Sequence, residues 1–166
     1  MVAALQKYTR LQIGLHWLIA LLFVANWFLS EGMGRALRTK LEGGVPEGLI
    51  ASIHPPIGLA ILVLMVIRII LRLVQGAPAL PESGSSWMNT AAKLGHLALY
   101  AVLLAIPASG IAAWGIGIRE AAEAHEALVT LGVILVLGHI AMALLHPLCV
   151  EAWRLAPREC CDTLSA

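Results

Sequence analysis

The chain has 166 residues, 60% of them hydrophobic and 13% charged, with a mean hydropathy of +0.86. Soluble domains carry about 25% charged residues, so an ordinary water-soluble fold is excluded. The net charge of +1 lacks the basic excess of a nucleic-acid-binding protein, and no nucleic acid is expected as a partner.

The apolar residues gather in four long stretches parted by polar ones, as in chains that cross a lipid bilayer. The expected fold is all-α, a transmembrane four-helix bundle forming one membrane domain over residues 1–166, with helices at about 11–30, 49–74, 91–114 and 121–148. The first stretch, Leu11 to Ser30, is one hydrocarbon thickness long at 1.5 Å per residue, and too long for the apolar core of a signal peptide. An uncleaved first helix is therefore expected, with Trp17 and Trp27 toward its ends. Residues 31–48 read as a polar, glycine-containing loop. The second stretch, Leu49 to Val74, carries Pro55 and Pro56 near its start; a helix that begins as early as Leu49 holds them in its interior, where they should kink it. Residues 75–90 read as a proline-, glycine- and serine-rich linker. The third stretch, Ala91 to Trp114, is interrupted by Pro107 with Gly110 close behind, and a bend is expected there. After a short connection over 115–122 comes the fourth, with Glu123 and Glu126 in its first turns and Pro147 at its end. Cys149, Cys160 and Cys161 match no zinc or iron–sulfur spacing and are expected as free thiols.

Basic residues set the expected orientation. Lys7, Arg10, Arg68, Arg72, Lys93, Arg154 and Arg158 lie toward one surface; Arg35, Arg38, Lys40 and Arg119 lie toward the other. The positive-inside rule then places both termini in the cytoplasm.

All six histidines, His16, His54, His96, His125, His139 and His146, fall in or beside apolar stretches, where an ionisable side chain is a functional candidate. His125 and His139 are 14 residues apart in the fourth stretch. That spacing is within about 40° of four full turns, so they share one helix face about 21 Å apart along the axis. Two stacked porphyrins, each held by two histidines from different helices, suit these dimensions. Small metal sites more often use clustered ligands. By depth, His16 pairs with His139 near the cytoplasmic side and His54 with His125 near the opposite side. His96 and His146 lie at the cytoplasmic edge, placed either to enter the inner pair or to meet a propionate or a ligand. Gly58, one turn after His54, and Gly132, two turns after His125, leave room for a flat macrocycle; Gly14 and Gly95 flank other histidines in the same way. Arg68 and Arg72 bring cations to the level of the inner site as propionate partners or as snorkelling anchors.

The stretches YTRLQIGLHW (Tyr8–Trp17), IHPPIGLAILVLMVIRIILRL (Ile53–Leu73), LGHLALY (Leu94–Tyr100) followed by IPASG, HEALVTLG and GHIAMALLH together resemble the bacterial cytochrome b561 family, over nearly the whole chain from Tyr8 to about His146. The resemblance implies two b haems with His16, His54, His125 and His139 as axial ligands to the iron, in a multi-pass protein of the bacterial inner membrane. It also implies electron exchange with the quinone pool, ubiquinone being the expected acceptor, at the cytoplasmic-side haem. Donors among relatives are superoxide or a redox protein, so a superoxide:quinone oxidoreductase-like activity and a haem-bearing anchor subunit of a dehydrogenase or hydrogenase are both open. A haem-free transporter or structural bundle is the third reading. Two departures stand out: Ala124 replaces a tryptophan common in the family, and the connection between the third and fourth helices is much shorter than in the superoxide-oxidising member. A quinone headgroup needs electrons from haem and protons from water, so it belongs at the cytoplasmic interface, where Arg10, Gln12, Lys93 and His96 are the polar candidates. His96 is the strongest of them, because imidazole both donates and accepts and titrates near neutrality.

Overall fold

The computed structural model describes residues 8–76 and 86–155, with side chains placed for 8–76 and 89–144. Among the described residues the chain is helical throughout, without strands. The helices are α1 (Arg10–Phe28), α2 (Met33–Leu41), α3 (Leu49–Gln75), α4 (Ser86–Ile111), which continues through a π-helical turn (Ala112–Ile116), and α5 (Arg119–Leu155). Four segments are long and apolar enough to cross a membrane: Arg10–Phe28, Leu49–Gln75, Asn89–Ile116 and Arg119–Leu144.

Local chemistry sets the helix ends. Thr9 caps α1 through a reciprocal box: its hydroxyl accepts from Gln12 N–H, and Gln12 Oε1 accepts from Thr9 N–H. Gly32, at φ +89°, makes the left-handed turn between α1 and α2 that a Cβ would strain. Gly117, at φ +85°, does the same between the π-helical turn and α5. Residues 31–48, expected as a loop, therefore contain a helix. Its apolar positions Met33, Ala36, Leu37 and Leu41 are half-buried, while Arg35, Arg38 and Lys40 are exposed. α3 begins at Leu49, so Pro55 and Pro56 lie inside it and remove the N–H groups that would bond the carbonyls of Ala51 and Ser52. α5 runs through Pro147, where the sequence places its end, to Leu155. Of Cys149 only the backbone is described; Cys160 and Cys161 lie outside the described residues.

In the bundle α4 packs on α5, α3 on α4, and α1 on α3. Among the described residues α5 has no comparable backbone packing against α1 or α3, so a wider gap separates it from them. The closed core lies at mid-depth: Ile19 and Phe23 of α1, Ile61 and Met65 of α3, Val102 and Ile106 of α4, with Met65 only 2% exposed. Large apolar side chains elsewhere point outward, among them Trp17, Leu21, Phe28, Leu73, Leu97 and Leu137. In water that surface would be unsustainable; against lipid tails it is the expected exterior. The molecule is a multi-pass membrane protein.

Candidate functional site: two histidine pairs across the gap

The gap beside α5 is bridged by imidazoles. His16 of α1 faces His139 of α5 with ring centroids 6.2 Å apart and planes at 75°. His54 of α3 faces His125 of α5 at 6.3 Å and 80°. Two imidazole nitrogens on opposite sides of one metal ion at about 2 Å each, with each ring centre about 1.1 Å behind its nitrogen, place the centroids about 6.3 Å apart. Both pairs have this separation. A cavity of ≈ 590 Å³ opens between His54 and His125, lined also by Gly58, Pro107, Gly110 and Trp114. Its size is that of a cofactor pocket. Interhelical imidazole pairs at this separation, with a cofactor-sized cavity at the His54–His125 pair, fit a b haem, which would supply one-electron exchange at its iron when bound.

His125 is held from behind by α4. Its Nδ1 lies 2.8 Å from the Ile106 carbonyl and 3.3 Å from Ser109 Oγ. A carbonyl only accepts, so Nδ1 carries the proton and the Nε2 lone pair is left for a metal. Ser109 Oγ in turn donates to the Ala105 and Ile106 carbonyls at 2.9 and 2.8 Å. Gly110 makes the approach feasible: a Cβ there would stand 3.1 Å from His125 Cε1 and 3.2 Å from Nδ1. Neither Ser109 nor Gly110 stands out as a site residue by sequence reasoning. The available signal is the run Pro107–Gly110, in which a proline is followed within one turn by a hydroxyl and a missing side chain.

The glycines expected to face a macrocycle divide. Gly58 lines the cavity, with Asn26 Nδ2 3.9 Å from where its Cβ would stand. At Gly132, midway between His125 and His139, a Cβ would lie 2.9 Å from Ile106 Cδ1 and 3.5 Å from both Phe23 Cζ and Val102 Cγ1, so it packs on the core between the pairs. Gly14 and Gly95 face open space.

At the other end, Arg68 donates to the Gln12 carbonyl at 3.0 Å and carries its charge within Coulombic range of His16 and His139. Arg72 donates to the Tyr8 hydroxyl at 3.2 Å and lies 5.8 Å from the centre of the Tyr100 ring. Gln12 is 5% exposed; its amide closes the α1 capping box and donates to the Gly76 carbonyl at 3.2 Å, tying α1 to the end of α3. Arg10, Lys93 and His96 are exposed. His96 Nδ1 lies 2.7 Å from the Ala92 carbonyl, and its ring centroid is 5.3 Å from that of His139. That separation is shorter than two ligands on opposite sides of one metal would give. The His146 side chain lies outside the described residues.

α2 adds Met33, Gly34 and Leu37 to the cavity lining. Lys40 fastens it to the end of α4. Its ammonium donates to the Trp114 carbonyl at 2.6 Å and sits 4.6 Å from the centre of the indole.

The chain matches the prokaryotic cytochrome b561 family over residues 7–155. It is 39% identical over 139 residues to a cytochrome b562 of Cereibacter sphaeroides, covering 84% of this chain and 86% of the relative. It is 36% identical over 107 residues to a probable superoxide oxidase of Yersinia pestis, covering 64% of this chain and 57% of the relative. It is 33% identical over 113 residues to cytochrome b561 homolog 1 of Escherichia coli, covering 65% and 59%. The chain thus spans less than two thirds of the length of the last two.

Proposed function

The chain belongs to the prokaryotic cytochrome b561 family, and we propose that it holds two b haems and passes electrons through the bilayer of the bacterial inner membrane to a quinone. The observation that carries this reading is the two imidazole pairs at 6.2 and 6.3 Å, reached from residues 14 apart on one face of α5. His16 and His139 hold one haem, His54 and His125 the other. His96 stands outside the first pair because its ring is too close to His139 for the two to take opposite sides of one metal. The distribution of basic residues puts both termini in the cytoplasm, so the His16–His139 site is the inner one. Arg68 and Arg72 meet the propionates at that level.

The quinone headgroup sits at the inner interface near His96 and Lys93, with Arg10 close by and its tail in lipid. Exposed there, His96 keeps Nε2 free while Nδ1 is tied to Ala92. It is placed to hand on the protons that quinol formation takes up with its two electrons. Gln12 shapes this site through the cap it forms rather than through a free amide. Electrons enter at the outer pair from superoxide, which leaves as dioxygen after giving up one electron, or from a docked redox protein.

The test is a visible-absorption redox titration of the purified chain with pyridine haemochrome quantitation, followed by stoichiometric additions of superoxide and ubiquinone. Two b haems per chain, reduced from the donor side and reoxidised by quinone, are expected. One haem or none removes the paired-ligand reading. Two haems that superoxide does not reduce leave a redox protein as the donor.

A further inference from the structure

Asn26 is a lone amide in the apolar run of α1, 9% exposed, and its Oδ1 is buried without a hydrogen-bond partner. Among the described residues one other buried side-chain atom is in that condition: His54 Nδ1. Both residues line the same cavity. An unpaired buried polar atom is costly, and more so within a bilayer, where no water compensates. Two such atoms at one cavity call for a common explanation.

Their chemistries are complementary. If Nε2 of His54 is given to iron, Nδ1 must carry the proton and is a donor; Asn26 Oδ1 is an acceptor. Position agrees. Gly58 lies one turn after His54 on the same face of α3, and Asn26 Nδ2 stands 3.9 Å from where a Cβ at Gly58 would be, so the amide reaches that face at ordinary contact distance. The backbone carbonyls of Leu29 and Asn26 also lie beside the His54 ring as rival acceptors, though neither forms a hydrogen bond with Nδ1. The facing ligand already has such a partner in the Ile106 carbonyl at 2.8 Å. His54 Nδ1 lacks one, and Asn26 Oδ1 is the unengaged side-chain acceptor lining the same cavity.

We propose that Asn26 is the positioning residue of the outer haem site, its amide oxygen accepting from His54 Nδ1–H once Nε2 is on the iron. This rests on the reading of His54 as an axial ligand. The bond fixes the rotation of the ring and makes the imidazole a stronger electron donor, favouring the oxidised iron.

The experiment compares Asn26→Leu and Asn26→Asp with the parent, using the full chain purified in detergent. Haem is counted by pyridine haemochrome, both midpoint potentials are titrated, and low-spin g values are read by electron paramagnetic resonance. Asn26→Leu is expected to keep two haems, raise the outer potential, change the outer g values and leave the inner haem at its parental potential. Asn26→Asp, a stronger acceptor, is expected to shift the outer potential the other way. If Asn26→Leu does not assemble, Asn26→Ala takes its place with the same expectation. An outer potential and g values unchanged in the acceptor-free variant overturn the proposal, and so does an equal upward shift in both variants, the mark of altered packing alone. A parent that binds no haem defeats the functional reading itself and is seen before any variant is compared.

Discussion

Gly110→Ala tests how the outer ligand is supported. The new Cβ would stand 3.1 Å from His125 Cε1, 3.2 Å from Nδ1 and 3.9 Å from Nε2. Ordinary contact begins near 3.4 Å, so the ring must retreat by a few tenths of an ångström. It is rigid and held at 2.8 Å by the Ile106 carbonyl, so retreat stretches that hydrogen bond, whose net worth is about 1 kcal/mol. Loss of the group behind a metal-ligating histidine lowers metal affinity about 10- to 100-fold, or about 1.4–2.8 kcal/mol. Alanine also favours the helix by about 1 kcal/mol over glycine, which masks the effect in overall thermal stability. The informative assay is therefore haem-specific: the outer haem's dissociation rate to an apo-protein trap, with its midpoint potential. Faster loss of one haem and an unaltered inner haem are expected. Gly138→Ala is the control, since its Cβ would meet nothing within 4 Å. A Gly110→Ala protein with the parental outer-haem dissociation rate and potential would refute the reasoning.

Replacing His54 or His125 with alanine should remove the outer haem and spare the inner one, and His16→Ala or His139→Ala should do the reverse, read by haemochrome counts and low-temperature spectra. His96→Gln should keep both haems yet slow reoxidation of the reduced protein by a soluble ubiquinone about tenfold, or about 1.4 kcal/mol in the barrier; stopped-flow at several quinone concentrations decides it. Gly132→Val pushes methyl groups into Ile106, Phe23 and Val102 and should cost about 1–3 kcal/mol, seen as a lower temperature of haem loss. Lys40→Met breaks the bond to the Trp114 carbonyl and should raise hydrogen exchange across Met33–Leu41 while leaving α3 protected.

The spans were legible because lipid imposes a coarse rule that a composition window reads directly. α2 was not, because its helix depends on contacts. The sequence MGRALRTKL is short and mostly polar, follows Gly32, and is steadied by half-buried Met33 and Leu37 and by Lys40 on Trp114. The histidine faces could be read from spacing within one helix, since 14 residues fix a rotation. What lies behind each histidine depends on how neighbouring helices are rotated against one another, so the run Pro107–Gly110 marks a special stretch of α4 without showing that Gly110 meets His125. Gln12 is the opposite case. Thr9-x-x-Gln12 is a capping box visible in the sequence, and it foretells an amide engaged at the start of α1. Asn26 was equally visible as a single amide in an apolar run, but a hydropathy reading averages it away.

The surroundings of the two pairs differ in a way that sets a direction. At the His16–His139 site Arg68 brings a fixed positive charge, held by the Gln12 carbonyl at 3.0 Å within the bundle. A nearby cation stabilises the reduced form of a redox centre, which carries one positive charge fewer. At the His54–His125 site the nearest fixed support is a carbonyl that accepts from His125. That bond makes the ligand more basic and stabilises the oxidised form. Under the proposed assignment one effect raises the inner potential and the other lowers the outer one, so both widen the same gap and an electron entering near α2 runs downhill toward the end carrying His96. Between the pairs lies the dry core of Phe23, Ile61, Met65 and Ile106. These side chains are neither charged nor protonatable, so under the proposed assignment the protons for a quinol come from the aqueous edge by His96 and Lys93 rather than with the electrons.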